Sequence, residues 1–253
     1  MSQHTRSVLS ASGAVHCWSA CLVLMALCGC RSGIPIYPTL DSHQSLRVIA
    51  QRLDEVKTIQ SSAVVEFEDA TGSTLRLDAA LAAQPPGSLR LRAWKFDRAV
   101  FDATLREGEL WLLPTDEQHD QERAEQSRRA AEGIRRAFSL LAPAFYASAT
   151  VDAVATTDRD LVVFGRVADH TLRCVIDRAT LTPRRFEPAD DHPAASLAIE
   201  LSDYRLVGAV PWAHALTIVH PHGCIVIRMD EVVLNGDLAP GAFVAPRRAV
   251  KSP

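Results

Sequence analysis

Between residues 61 and 112 apolar and polar positions alternate with period two, in the segments "AVVEFED", "STLRLDAALAA", "SLRLRAW", "AVFDATLRE" and "ELWLLP". Turn material separates them at Ala70-Thr71-Gly72, Pro85-Pro86-Gly87 and Glu107-Gly108. Short alternating runs at this spacing predict an antiparallel meander. Leu75, Leu77 and Leu81 fall on one face and Arg76 and Asp78 on the other, as Leu89 and Leu91 oppose Arg90 and Arg92, so one face is dry and one wet. Alternation resumes at "DLVVFGRVA", "TLRCVID", "PRRFEP", "ASLAIELSDYRLV", "WAHALTIV" and "GCIVIRMDEVVL", and the chain closes on "NGDLAPGAFVAP".

Two stretches have helical period instead. In "LDSHQSLRVIAQRLDEVKTI", Leu46, Ile49, Leu53 and Val56 form one apolar stripe. "DEQHDQERAEQSRRAAEGIRRAFSLLAPAFYA" opens with a capping pattern at Thr115 and Gln118 and breaks near Pro143. Its first half is polar all round, a solvated face or a partner-binding one, and Ile134, Phe138, Leu141 and Phe145 make a stripe in its second half. The order implies a mainly β, α+β fold: one curled antiparallel sheet of about eleven strands, a half-barrel covered on its dry side by two helical elements.

The N-terminus reads differently. An apolar run, "CWSACLVLMALCG", follows a polar start containing Arg6 and is too short to span a bilayer, which takes about 20 residues. It ends Leu27-Cys28-Gly29-Cys30, which resembles the lipobox of bacterial lipoproteins. That resemblance implies cleavage between Gly29 and Cys30 and a lipid on the Cys30 sulfur. The other readings are an ordinary secretory signal and a Cys-x-Cys metal or redox pair, the latter set against a segment destined for the bilayer. The organisation expected is a signal peptide over 1–29, a lipidated N-terminus and extended tether over 30–41 with Pro35 and Pro38, one domain over 42–248, and a tail over 249–253. Arg31, where sorting rules known from enteric bacteria retain proteins with Asp in the inner membrane, points to the periplasmic face of the outer membrane.

A net charge of −3 with no basic stripe argues against nucleic acid. No Gly-x-Ser-x-Gly, His-Glu-x-x-His or phosphate-loop motif occurs, so the expectation is a protein without enzymatic activity or cofactor. His220, His222 and Cys224 in "HPHGC" would share a face on a straight strand and suit zinc, but Pro221 and Gly223 read as a turn, and no metal is expected. Asp190-Asp191-His192 lies in a Pro-flanked loop and reads as solvated. Once Cys30 is acylated, Cys174 and Cys224 are left in the body as a pair that can bridge in an oxidising compartment or sit free in a core.

This element order, with "EGELWLLP", "SDYR", Pro211 and the closing segment, resembles the bacterial outer-membrane lipoprotein carrier and receptor superfamily, the LolA/LolB-like proteins. The matching residues are Gly108, Leu110, Trp111, Asn235, Phe243 and Pro246. The resemblance implies a half-barrel that holds the acyl chains of a lipid or lipoprotein. The carrier branch gates its cavity with an Arg-Pro, where this chain has Gln84-Pro85. The receptor branch is itself a lipoprotein and touches the membrane with an apolar loop, and the Pro85-Pro86-Gly87 turn has no large apolar tip. Acyl chains need a dry groove, for which the candidate lining is Leu75, Leu77, Leu89, Leu91, Phe101, Leu105, Leu110, Leu112, Val163, Ile176, Leu197, Ile199, Leu216, Ile218 and Ile227. The partners expected are a membrane through Cys30 and acyl chains. The alternative is a structural or assembly lipoprotein whose core is filled and whose outer surface meets an envelope protein.

Overall fold

In the computed structural model, residues 33–113, 121–167, 170–189, 197–246 and 249–251 are described. The lipobox, the Thr115–Gln118 cap and Asp190-Asp191-His192 lie outside them. Helix α1 (Ser42–Asp54) starts where Asp41 accepts the Gln44 amide at 2.8 Å, and it buries Leu46 and Ile49. The tether is docked along its second half: Tyr37 donates its amide to Ala179 O, and Leu40 O accepts from Arg178.

The first meander is β1 (Ile59–Asp69), β2 (Thr74–Gln84), β3 (Ser88–Lys95), β4 (Arg98–Arg106) and β5 (Glu109–Leu112). Helices α2 (Gln121–Ser139) and α3 (Pro143–Ser148) follow, broken at Pro143, so the second helical element is two pieces. The chain returns through β6 (Thr150–Val151), β7 (Asp160–Val167), β8 (His170–Asp177), β9 (Thr182–Pro188), β10 (Ala198–Val207), β11 (Val210–His220) and β12 (Gly223–Leu234) to β13 (Val250–Lys251).

These make one antiparallel sheet in the order β13-β5-β4-β3-β2-β1-β12-β11-β10-β9-β8-β7-β6. Its two-residue edge strands β6 and β13 add to the eleven expected. Val250 and Lys251, expected in a free tail, pair with Leu112 and Trp111.

Because β12 closes on β1, the helices between the meanders must recross the sheet. Helix α2 touches β4, β5 and β11. Six strand positions at ~4.8 Å make ~29 Å, close to the ~28 Å length of a nineteen-residue helix. Gly133 permits the crossing: a Cβ there would lie 3.2 Å from the Ile218 methyl on β11. Helix α3 packs on α1 and on β7, where Gly165 makes room for the Phe145 ring.

The helix-covered face holds one apolar cluster that includes α1, α2, α3 and every long strand's inward residues. The outer face carries charge ladders such as Arg173–Glu187 and Arg185–Glu200. After β12 the chain runs across this outer face as a strap. Thr58 donates to Gly236 O, Gln60 to Asp237 O, and Arg90 to Ala242 O and Val244 O. Arg90, expected on the wet face, is there but not free: its guanidinium grips Asp102 at 3.0 and 2.7 Å, and Asp102 is 2 % exposed.

Candidate acyl-binding face

Three hollows open on the helix-covered side. The largest, a groove of about 470 Å³, lies where the polar half of α2 passes over the ends of β1, β2, β4 and β12. Its floor is Leu77, Phe101, Ala130 and Ile225, all buried, and the Phe67 and Phe101 rings pack at 5.6 Å between centroids. Leu75 and Val100 stand at its mouth, 42 % and 40 % exposed. Glu68, Asp69, Arg129, His220 and His222 form a polar rim. Burial first, and then His222 and Arg129, hold the His220 pKa below its ordinary value.

An end pocket of about 140 Å³ lies against the Pro85-Pro86-Gly87 turn, walled by Leu89, Leu105 and Phe138. An inner pocket of about 30 Å³ lies under α1 and α3, with Leu216, Met229 and Trp212 among its walls. The groove is in the size range of ligand sites, whereas 30 Å³ holds roughly one or two water-sized groups.

The structure divides the candidate lining residues among these hollows. Leu75, Leu77 and Phe101 line the groove, Leu89 and Leu105 the end pocket, and Leu216 the inner pocket. Leu91, Val163, Ile176, Ile199, Ile218 and Ile227 are at most 2 % exposed and line none of the three. Leu110, Leu112 and Leu197 are half-buried against the same cluster. Strand alternation finds the face, but it carries no information on where α2 and α3 press down and where they stand off.

Residues that alternation did not single out complete the picture. Arg52, Tyr146 and Trp212 bring polar atoms to the inner pocket. An exposed apolar tip exists on the β3–β4 hairpin rather than on the Pro85-Pro86-Gly87 turn: Phe96 is 91 % exposed at φ 50°, beside Asp97 at φ 60°, with the Lys95 ammonium 5.7 Å from its ring. Two successive positive-φ residues are the mark of a type I′ turn. The signal available in the sequence is the short interval between "SLRLRAW" and "AVFDATLRE", which holds Phe96.

Cys174 and Cys224 are free thiols. Three strands, β9 to β11, separate β8 from β12, a span of ~19 Å at ~4.8 Å per step, well beyond disulfide reach, so the bridge considered from the sequence does not form within the chain. Pro221 and His222 form the turn between β11 and β12, and among the described residues no three His, Cys, Asp or Glu side chains come together as a metal site. No helix among the described residues is long and apolar enough to cross a membrane.

No protein-family model matches the sequence, and no curated protein gives a significant match. Solved structures do match the fold. A protein domain from Vibrio parahaemolyticus named for outer membrane lipoprotein sorting is 10 % identical and superposes with a TM-score of 0.55 over 81 % of this chain and 97 % of its own. A DUF1329 family protein from Desulfovibrio piger is 11 % identical, with a TM-score of 0.56 over the same shares, 81 % and 97 %. A LolA superfamily protein from Nitrosomonas europaea is 9 % identical, at 0.54 over 79 % and 97 %. With one antiparallel sheet and three covering helices among its described residues, this chain has the LolA/LolB-like fold.

Proposed function

We propose that this chain is an envelope lipoprotein, anchored through Cys30 at the periplasmic face of the outer membrane, that binds acyl chains of a lipid or lipoprotein and takes part in their transfer or insertion. It acts by binding rather than by catalysis. The observation that carries this reading is the groove of about 470 Å³, with an apolar floor and two exposed aliphatic side chains at its mouth. Its chemistry suits a long apolar chain, because Leu77, Phe101 and Ile225 offer dry surface while the charged rim stays in water. The likeness to a protein named for lipoprotein sorting supports the assignment.

Phe96 supplies the membrane contact in this reading. An aromatic ring on a hairpin tip, beside a lysine that can stay at headgroup level, suits a bilayer interface. The Phe96→Asn variant tests it cleanly, since Asn tolerates the positive φ. Made in a Cys30→Ser background so that no lipid anchor holds the chain, it is expected to keep the melting temperature of that background and to lose its binding to vesicles of phosphatidylethanolamine and phosphatidylglycerol; unchanged vesicle binding contradicts the contact.

A second reading has its own observation. Under α1 and α3 the interior is packed down to a pocket of about 30 Å³, as expected of a structural lipoprotein with a filled core and a protein partner. A native mass spectrum of the chain purified without alkyl detergent separates the two. Acyl lipid adducts that organic solvent removes favour binding; the bare chain mass alone favours the filled core.

A further inference from the structure

Among the described residues three buried side-chain atoms able to donate have no hydrogen-bond partner within the protein, and all three residues line the inner pocket: Nη2 of Arg52 on α1, the Tyr146 hydroxyl on α3 and Nε1 of Trp212 on β11. Tyr146 and Trp212 are 1 % and 3 % exposed. Buried polar groups in native proteins are nearly always paired, so three orphans in one pocket point to an acceptor that enters it. Each of the three can donate, and the guanidinium and the indole N–H can do nothing else. Burial keeps Tyr146 a neutral phenol, its pKa well above the ordinary range.

Arg52 adds positive charge. Its Nη1 donates to Leu181 O at 3.3 Å and its guanidinium carbon lies 5.3 Å from the Tyr37 ring centroid, but no carboxylate among the described residues pairs with it. A guanidinium flanked by neutral donors selects an anionic oxygen over a neutral one. At about 30 Å³ the pocket matches the end of a chain rather than a bulky headgroup. Phe138 lines both this pocket and the end pocket of about 140 Å³, so the two are neighbours.

Resting on the acyl-binding reading above, the geometry points to the inner pocket as a fatty-acid carboxylate site. Arg52, Tyr146 and Trp212 donate to the carboxylate oxygens, and the chain leaves past Phe138 toward Leu89 and Leu105 in the end pocket.

The test uses the full chain held in digitonin, which has neither an alkyl chain nor a carboxylate to compete, with hexadecanoate and its methyl ester as probes. The parent is expected to bind hexadecanoate more tightly than the ester. Arg52→Gln weakens hexadecanoate about tenfold or more, the factor for a charge-assisted hydrogen bond, and shifts the ester less than about threefold. Tyr146→Phe weakens hexadecanoate while leaving the melting temperature of the ligand-free protein equal or higher, because it removes an unpartnered hydroxyl and keeps the ring; it carries the test if Arg52→Gln does not fold. 2-Bromohexadecanoate, with its heavy atom beside the carboxylate, quenches the emission that Trp212→Phe abolishes, and 16-bromohexadecanoate quenches it less.

Equal affinity for acid and ester, indifferent to Arg52→Gln, overturns the inference and leaves acyl binding standing. Tighter binding of the ester overturns the carboxylate assignment in favour of an ester carbonyl. A Tyr146→Phe variant that melts lower and binds hexadecanoate as the parent does assigns the donors to a structural role and overturns it. Failure of the parent to bind either probe sinks the acyl-binding reading itself.

Discussion

Asn235 shows how much one side chain can organise. At φ 59° it turns the chain out of β12, accepts the Lys57 amide at 2.7 Å and donates to Glu55 O at 2.9 Å, tying the strap's start to the α1–β1 connection. Asn235→Ala loses both hydrogen bonds and the tolerance of positive φ, and is expected to cost about 2 kcal/mol in urea unfolding; Asn235→Gly keeps the φ and costs less. At Gly165 a Cβ would lie 2.4 to 2.8 Å from the Phe145 ring, so Gly165→Ala is expected to cost about 1–3 kcal/mol by overpacking, read in the same assay. His220 sets an acid-side limit. Its folded pKa lies below the ordinary 6.5, so the unfolded chain takes up the proton first as pH falls. Its contribution to stability is therefore full above about pH 6.5 and lost as pH falls through the folded pKa. Melting temperatures between pH 7 and 5 are expected to decline less in His220→Gln than in the parent.

Between elements, the strap hangs on Arg90. The bidentate pair with Asp102 lies beneath it, and Arg90 also reaches Ala242 O and Val244 O. Arg90→Met leaves the buried Asp102 carboxylate without its close partner and is expected to cost about 3–5 kcal/mol, whereas Arg90→Met with Asp102→Leu recovers much of it; a double-mutant cycle in urea reads the coupling. This pair was not legible in the sequence: alternation placed Arg90 on the outer face, but nothing local says that a segment 152 residues later covers it. What period-two and helical patterns carry well is the identity and facing of elements, and Leu77, Leu81, Leu89 and Leu91 are buried as the pattern implies. Tertiary cover is set by long-range pairing such as Arg90 with Ala242, and so lies beyond any window on the chain. The same limit hid Arg52, Tyr146 and Trp212, which come from three elements far apart in sequence.

For the molecule as a whole, the fold puts different jobs on different parts of one sheet. Under α1 and α3 the side chains close down to the inner pocket of about 30 Å³, while under the polar half of α2 the helix stands off and leaves the groove. The sequence indicated the sheet, its dry face and the fold, because the alternation is regular and the helices are strongly patterned. It did not divide filled core from groove, because Leu91 and Leu75 look alike in a string yet are 0 % and 42 % exposed. That contrast gives the most direct test of acyl binding in the groove: titration of the parent, Leu75→Glu and Leu91→Glu with cis-parinaric acid, alongside their melting curves. The expected result is saturable uptake by the parent, loss of about tenfold or more in affinity for Leu75→Glu with its melting temperature kept, and unfolding of Leu91→Glu, where an unpaired carboxylate would be buried. A parent that takes up no probe, or a folded Leu75→Glu that binds as the parent does, contradicts the account.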